Sequence, residues 1–134
     1  MTLANERHAV VTDRAPRPVQ GAPYSQAIAT RGLVFCSGQV PLDPQSGTLV
    51  DGGIKEQTTR VFENLKGVLE AAGSSLDDIV KTTVFLTDLA NDFGAMNEVY
   101  ATYFTGAPPA RSTFEVSALP AGASVEIECI AVGE

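Results

Sequence analysis

The chain has 134 residues, 44% of them apolar and 19% charged, which is the size and composition of one globular domain with a core of its own. Nine Lys and Arg against sixteen Asp and Glu leave a net charge of −7, a surface that repels phosphate backbones and speaks against a nucleic-acid partner. No run approaches the length of a membrane span, and Met1 to His8 carry no apolar stretch of the signal-peptide kind, so a cytoplasmic location without membrane contact is expected.

In chain order, residues 1–20 read as a partly irregular segment leading into a single domain that fills 1–134, with one extra strand around His8 to Thr12. The Pro- and Gly-rich stretch from Arg14 to Pro23 is extended and irregular. Two strands follow, near 24–30 and 33–37, with Arg31-Gly32 as their turn and a loop from Pro41 to Gly53. From Ile54 the apolar residues Val61, Phe62, Leu65, Val68, Leu69 and Ala72 recur every three or four positions, which predicts a helix closed by Gly73. The opposite face, with Lys55, Glu56, Arg60, Glu63, Lys66 and Glu70, is expected in solvent.

Asp77 to Leu86 reads as a buried strand, and a shorter helix capped by Asn91 follows. In that helix Phe93, Met96, Tyr100, Tyr103 and Phe104 form an aromatic stripe read as core; Gly106 and Pro108-Pro109 stop it. Two last strands, 110–116 and 125–132, are joined by a turn at 118–123 and are expected to pair as an antiparallel hairpin. The order is β-β-α-β-α-β-β, an α+β domain with a sheet covered by two helices.

Alternation in the final strand sends Val125, Ile127, Cys129 and Ala131 toward the helices and Glu126, Glu128, Ile130 and Val132 to the other face. Two helices cover one face of a sheet, so the mixed apolar and charged second face suits an oligomer interface containing a polar pocket. Cys36 and Cys129 lie in apolar runs and are expected reduced and buried. His8 is the single histidine, which removes a His-dependent triad, and no spacing matches a zinc site, a calcium loop or a phosphate-binding glycine loop. Nothing in the sequence supports a metal or an organic cofactor.

Charges inside the last two strands are costly unless paired, solvated or used. A hairpin would bring Arg111 and a glutamate together; the guanidinium fork matches a substrate carboxylate and the glutamate can hold or deprotonate a water. The plainer reading makes Arg111, Glu115, Glu126 and Glu128 a solvated or ion-paired face of a half-exposed sheet, and on these residues alone it is the stronger one.

Three further segments change that balance: Gly21-Ala22-Pro23-Tyr24-Ser25-Gln26-Ala27-Ile28, Leu33-Val34-Phe35-Cys36-Ser37-Gly38-Gln39-Val40-Pro41 and Pro109-Ala110-Arg111-Ser112. Together with Val125-Glu126-Ile127-Glu128-Cys129-Ile130-Ala131, in this order, they resemble the RidA family, also known as YjgF/YER057c/UK114, over about Ala22 to Val132. The resemblance implies a chorismate-mutase-like fold, a mixed sheet of about six strands packed on two helices, assembled as a homotrimer with sheets facing inward and pockets shared between subunits. It also implies cofactor-free hydrolysis of 2-aminoacrylate and its imine tautomer to the 2-keto acid and ammonia.

Carried over by position, Arg111 binds the substrate carboxylate and Glu126 positions or deprotonates the attacking water. Tyr24, Ser37, Gly38 and the backbone at Thr113 shape the pocket, with Asn97 on its wall. Thr113 stands where many members have cysteine, and Ala22 where glycine usually precedes Pro-Tyr; the arginine that deaminating members require is retained as Arg111. Two other functions compete: a keto-acid-binding regulatory trimer without chemistry, and the endoribonuclease or translation-inhibitor role described for some members, which the acidic surface and the single histidine disfavour.

Overall fold

The structure, a computed structural model, describes residues 6–133; Met1 to Asn5, part of the polar start read as lacking a leader, lie outside the described residues. The first half builds β1 (His8–Val10), β2 (Ala27–Thr30), β3 (Leu33–Gln39) and α1 (Ile54–Ala71). The second half builds β4 (Ile79–Leu86), α2 (Leu89–Thr102), β5 (Ala110–Glu115) and β6 (Val125–Val132). Six strands form one mixed sheet in the order β1-β2-β3-β6-β4-β5, with both helices on one face. Among the described residues no helix is long and apolar enough to cross a membrane.

The apolar stripe of α1 supplies the centre of the core: Val61, Phe62, Leu65, Val68 and Leu69 are all fully buried. Each contributes roughly 1.5–3 kcal/mol by leaving water. They pack on Val34, Val84, Val125, Ile127 and Ala131 of the sheet. Glu56 reaches back to accept the Gly53 N–H at 2.8 Å and so closes the helix start. Gly73, at φ +78°, supplies the left-handed residue just past its end. Helix α2 is capped by Asp88, whose carboxylate accepts from Asn91 N at 3.2 Å, rather than by Asn91 itself. An aspartate three residues earlier leaves Asn91 inside the first turn.

The predicted hairpin of the last two strands does not form. Strand β5 runs parallel to β4, and β6 lies on the other side of β4, antiparallel both to it and to β3. A strand, a 14-residue helix and a strand form a βαβ unit, in which the crossover makes the strands parallel neighbours. The link after β5 then rounds the end of β4, with Val116 N donating to Leu86 O and Thr87 N to Ser124 O. That delivers β6 into the gap between β3 and β4.

The two faces of β6 divide as the alternation predicts, with Val125, Ile127, Cys129 and Ala131 buried and Glu126, Glu128, Ile130 and Val132 on the open side. Cys36 and Cys129 are direct cross-strand partners and both are free, buried thiols. The hydrogen bond with Cys129, then burial, pushes the Cys36 thiol well above its ordinary pKa, so Cys36 is not primed as a nucleophile.

Candidate active site

The sequence-predicted site residues fall into two groups on opposite faces of the sheet. On the helix side, at the outer edge formed by β5, Arg111 projects onto α2. Its Nη1 donates to Asn97 Oδ1 at 2.8 Å, and its guanidinium carbon lies 4.8 Å from the Tyr100 ring centre and 5.7 Å from that of Phe93. Phe93, Asn97 and Tyr100 are spaced i, i+4, i+7 and so share one stripe of α2. A cavity of 420 Å³ opens here, lined by Asn97, Tyr100, Phe104, Pro108, Pro109 and Arg111. Thr113, two residues along β5, shares the face of Arg111 and pairs with Val84.

On the open side, Tyr24, Ser37, Gly38 and Glu126 line a second cavity of 480 Å³ together with Val19 and Glu128. Strand β3 carries a bulge here: Cys36 pairs with Cys129 but Gln39 with Ile127, so three steps on β3 match two on β6. Ser37 and Gly38 occupy the bulge, which lengthens the strand to Gln39 where the sequence suggested an end and a turn. Ser37 Oγ donates to Ser25 O at 2.6 Å.

Gly38 is the reason the Glu126 carboxyl can lie where it does. A methyl group at position 38 would fall on Oε2 and within 2.8 Å of Cδ. Burial first, and the neighbouring Glu128 charge second, raise the Glu126 pKa above the ordinary carboxylate value. A carboxyl so tuned is a better proton acceptor than an exposed glutamate. Tyr24 precedes β2 in the loop, and its hydroxyl accepts from Val19 N at 2.8 Å, which keeps its own proton for the cavity.

Arg111 and Glu126 therefore do not meet within one chain, contrary to the hairpin expectation. Nor do the four charges make a paired face: Glu115 accepts from Leu89 N at 3.0 Å at the start of α2, while Glu126 and Glu128 stand on the other side. The aromatic stripe was only partly core. Met96 and Tyr100 are buried, but Phe93 is 41% exposed beside the guanidinium. The signal that could have found this was the spacing of Phe93 and Tyr100 from Asn97. Gln26, in the same loop motif as Tyr24, was also missed: its amide bonds Thr12, Ala15 and Pro16 and so fastens the leading segment against the site. Among the described residues, no cluster of three His, Cys, Asp or Glu side chains is placed to hold a metal ion.

The family model described as Endoribonuclease L-PSP matches residues 13–133. A RutC family protein of Pyrococcus abyssi is 52% identical over 128 residues, covering 96% of this chain and 98% of its own. The mouse protein named 2-iminobutanoate/2-iminopropanoate deaminase is 49% identical over 126 residues, with 94% and 91% covered. The crystal structure of RidA from an Antarctic Psychrobacter superposes with a TM-score of 0.88 at 45% identity, covering 93% of this chain and 98% of that one. On the fold, the separated motifs and these matches, the chain belongs to the RidA family.

Proposed function

We propose that this chain hydrolyses small 2-imino acids and their enamine tautomers, of the 2-aminoacrylate/2-iminopropanoate kind, to 2-keto acids and ammonia. It acts as a homotrimer whose pockets join the Arg111 face of one copy to the Glu126 face of the next. The observation that carries this is the division of one functional set between two half-built cavities, a cation with its holder on one and a tuned carboxyl on the other. The open sheet face supports the assembly, since Phe35, Phe114 and Val132 there are 42%, 53% and 51% exposed.

In this mechanism the Arg111 fork receives the substrate carboxylate, placing the C=N carbon near Glu126 of the neighbouring copy. Glu126 takes a proton from water as the oxygen attacks that carbon and returns it to the nitrogen, which leaves an amine and a hydroxyl on one tetrahedral carbon. The hydroxyl proton then passes by way of Glu126 to the amine, the C–N bond breaks, and ammonia leaves as the C=O bond forms. One water enters for each ammonia released, and no electrons change hands. An imine carbon is electrophilic already, so orientation and one activated water suffice.

The mouse relative's name supports this substrate class. The endoribonuclease description of the family model has weaker physical support in this chain: its net charge is −7, and His8, its single histidine, lies on the outermost strand beside Glu6. The test couples the purified protein to an enzyme that releases 2-aminoacrylate and follows keto-acid formation. Acceleration that disappears in Arg111→Ala is expected. Keto-acid binding without any acceleration would make the chain a sensor and overturn the hydrolytic assignment.

A further inference from the structure

We propose that Tyr100 is a positioning residue for Arg111, its ring fixing the plane in which the guanidinium meets a substrate carboxylate. The inference rests on Arg111 being the carboxylate anchor, as assigned above, and extends it to a residue that acts through Arg111.

Three contacts close a triangle. Arg111 of β5 pairs in the sheet with Thr82 of β4. The Thr82 hydroxyl and the Tyr100 hydroxyl share a buried hydrogen bond of 2.7 Å. The Tyr100 ring in turn lies 4.8 Å from the guanidinium carbon. The tyrosine is thus tethered to the very strand position beside the arginine it supports.

The ring is also held by its other neighbours. Phe62 meets it edge-on at 5.3 Å and Phe104 packs at 5.1 Å, and the residue is only 6% exposed. An arginine side chain has several rotatable bonds and loses much freedom when it binds. An aromatic face at cation–π distance, with Asn97 taking Nη1, removes that freedom before the ligand arrives. Tyr100 therefore serves as more than core: Phe62 and Phe104, with the hydroxyl bond as a further tether, keep the ring at one angle, and the ring keeps the fork at one angle.

The experiment measures 2-oxobutanoate binding by calorimetry, with thermal melting in parallel, for wild type, Arg111→Ala, Tyr100→Phe, Tyr100→Leu and Tyr100→Met. Tyr100→Leu is expected to raise Kd about tenfold. Tyr100→Phe keeps the ring and is expected to stay within about threefold of wild type although it loses the Thr82 bond. In the coupled assay the Leu variant is expected to raise KM with little change in kcat. Tyr100→Met fills nearly the same volume without a ring and gives the same answer if the Leu variant does not fold.

Affinity that follows melting temperature across the three Tyr100 variants, with no premium for the ring, overturns the proposal. So does wild-type binding in the ring-less variants when Arg111→Ala binds weakly, and in that case the anchor assignment stands. Unchanged binding in Arg111→Ala removes the anchor and this inference with it.

Discussion

Arg111 and Glu126 stand on opposite faces of one sheet. Phe85 of β4 pairs with Glu126 on one side and Phe114 on the other, and Arg111 lies three residues before Phe114, which turns its side chain the other way. If a pocket needs both groups, it needs two copies of the chain. Arg111→Ala and Glu126→Gln homo-oligomers are each expected to be inactive. Unfolded together and refolded as a mixture, they should regain about a quarter of wild-type activity, because one site in four receives an intact arginine and an intact glutamate from different chains. No recovery, despite mixed oligomers seen by native mass spectrometry, would show that both groups must come from one chain.

Gly38 tests the Glu126 side alone. A Cβ there collides with the carboxyl group, and the flexible glutamate stem can swing away at little cost to folding. Gly38→Ala is expected to lower kcat/KM at least tenfold, equal to about 1.4 kcal/mol of transition-state stabilisation. Melting temperature should change little, because the displaced group is a side-chain tip. A variant with wild-type turnover would mean that the carboxyl need not lie over the β3 bulge.

Much of this architecture was legible in the sequence. The 3.6-residue stripe from Ile54 located α1, and the alternation in β6 sorted its two faces, because both patterns report directly which side leaves water. Strand order was misread for a physical reason. A short link between two runs suggests a hairpin, but the helix between β4 and β5 makes those two strands parallel neighbours, and the link after β5 is bonded across the end of β4, so β6 enters between β3 and β4 instead of adding to the outer edge of β5. The same misreading placed Arg111 and Glu126 together. The residues that hold the site, Gln26, Tyr100 and Thr82, were hidden because a buried polar tip inside an apolar pattern carries no periodic signal. Only the fold shows what it bonds.

Gln26 shows the structural weight of such a residue. It is 2% exposed, accepts from Thr12 N at 2.8 Å and donates to the carbonyls of Thr12, Ala15 and Pro16. Gln26→Ala strands these backbone groups without partners, each costing roughly 1–3 kcal/mol if it stays buried. The expected result is a melting temperature lower by about 5 °C or more, with trypsin cutting after Arg14 before global unfolding. Protection of that bond in the variant would show that other contacts, such as Arg14 with Glu70, already fix the segment.

Glu126 should weaken the fold at the pH where it works. Its folded-state pKa is raised, by burial and then by Glu128, so the stability it contributes is full below the ordinary glutamate value and is lost as pH rises through the folded value. Glu126→Gln carries no charge at any pH. It should match wild type near about pH 4 and melt higher, by a few degrees, near about pH 8. In the coupled assay the same variant should lose turnover, and with it the acid limb of the wild-type pH profile, whose midpoint should lie above that of an exposed glutamate. A structural carboxylate would give the opposite pattern, since replacing it lowers stability and leaves turnover intact. Gain of stability with loss of activity in one substitution is what a carboxyl kept for chemistry gives. Equal melting at both pH values would mean that its environment does not penalise the charge, and the glutamate would have no raised proton affinity to use.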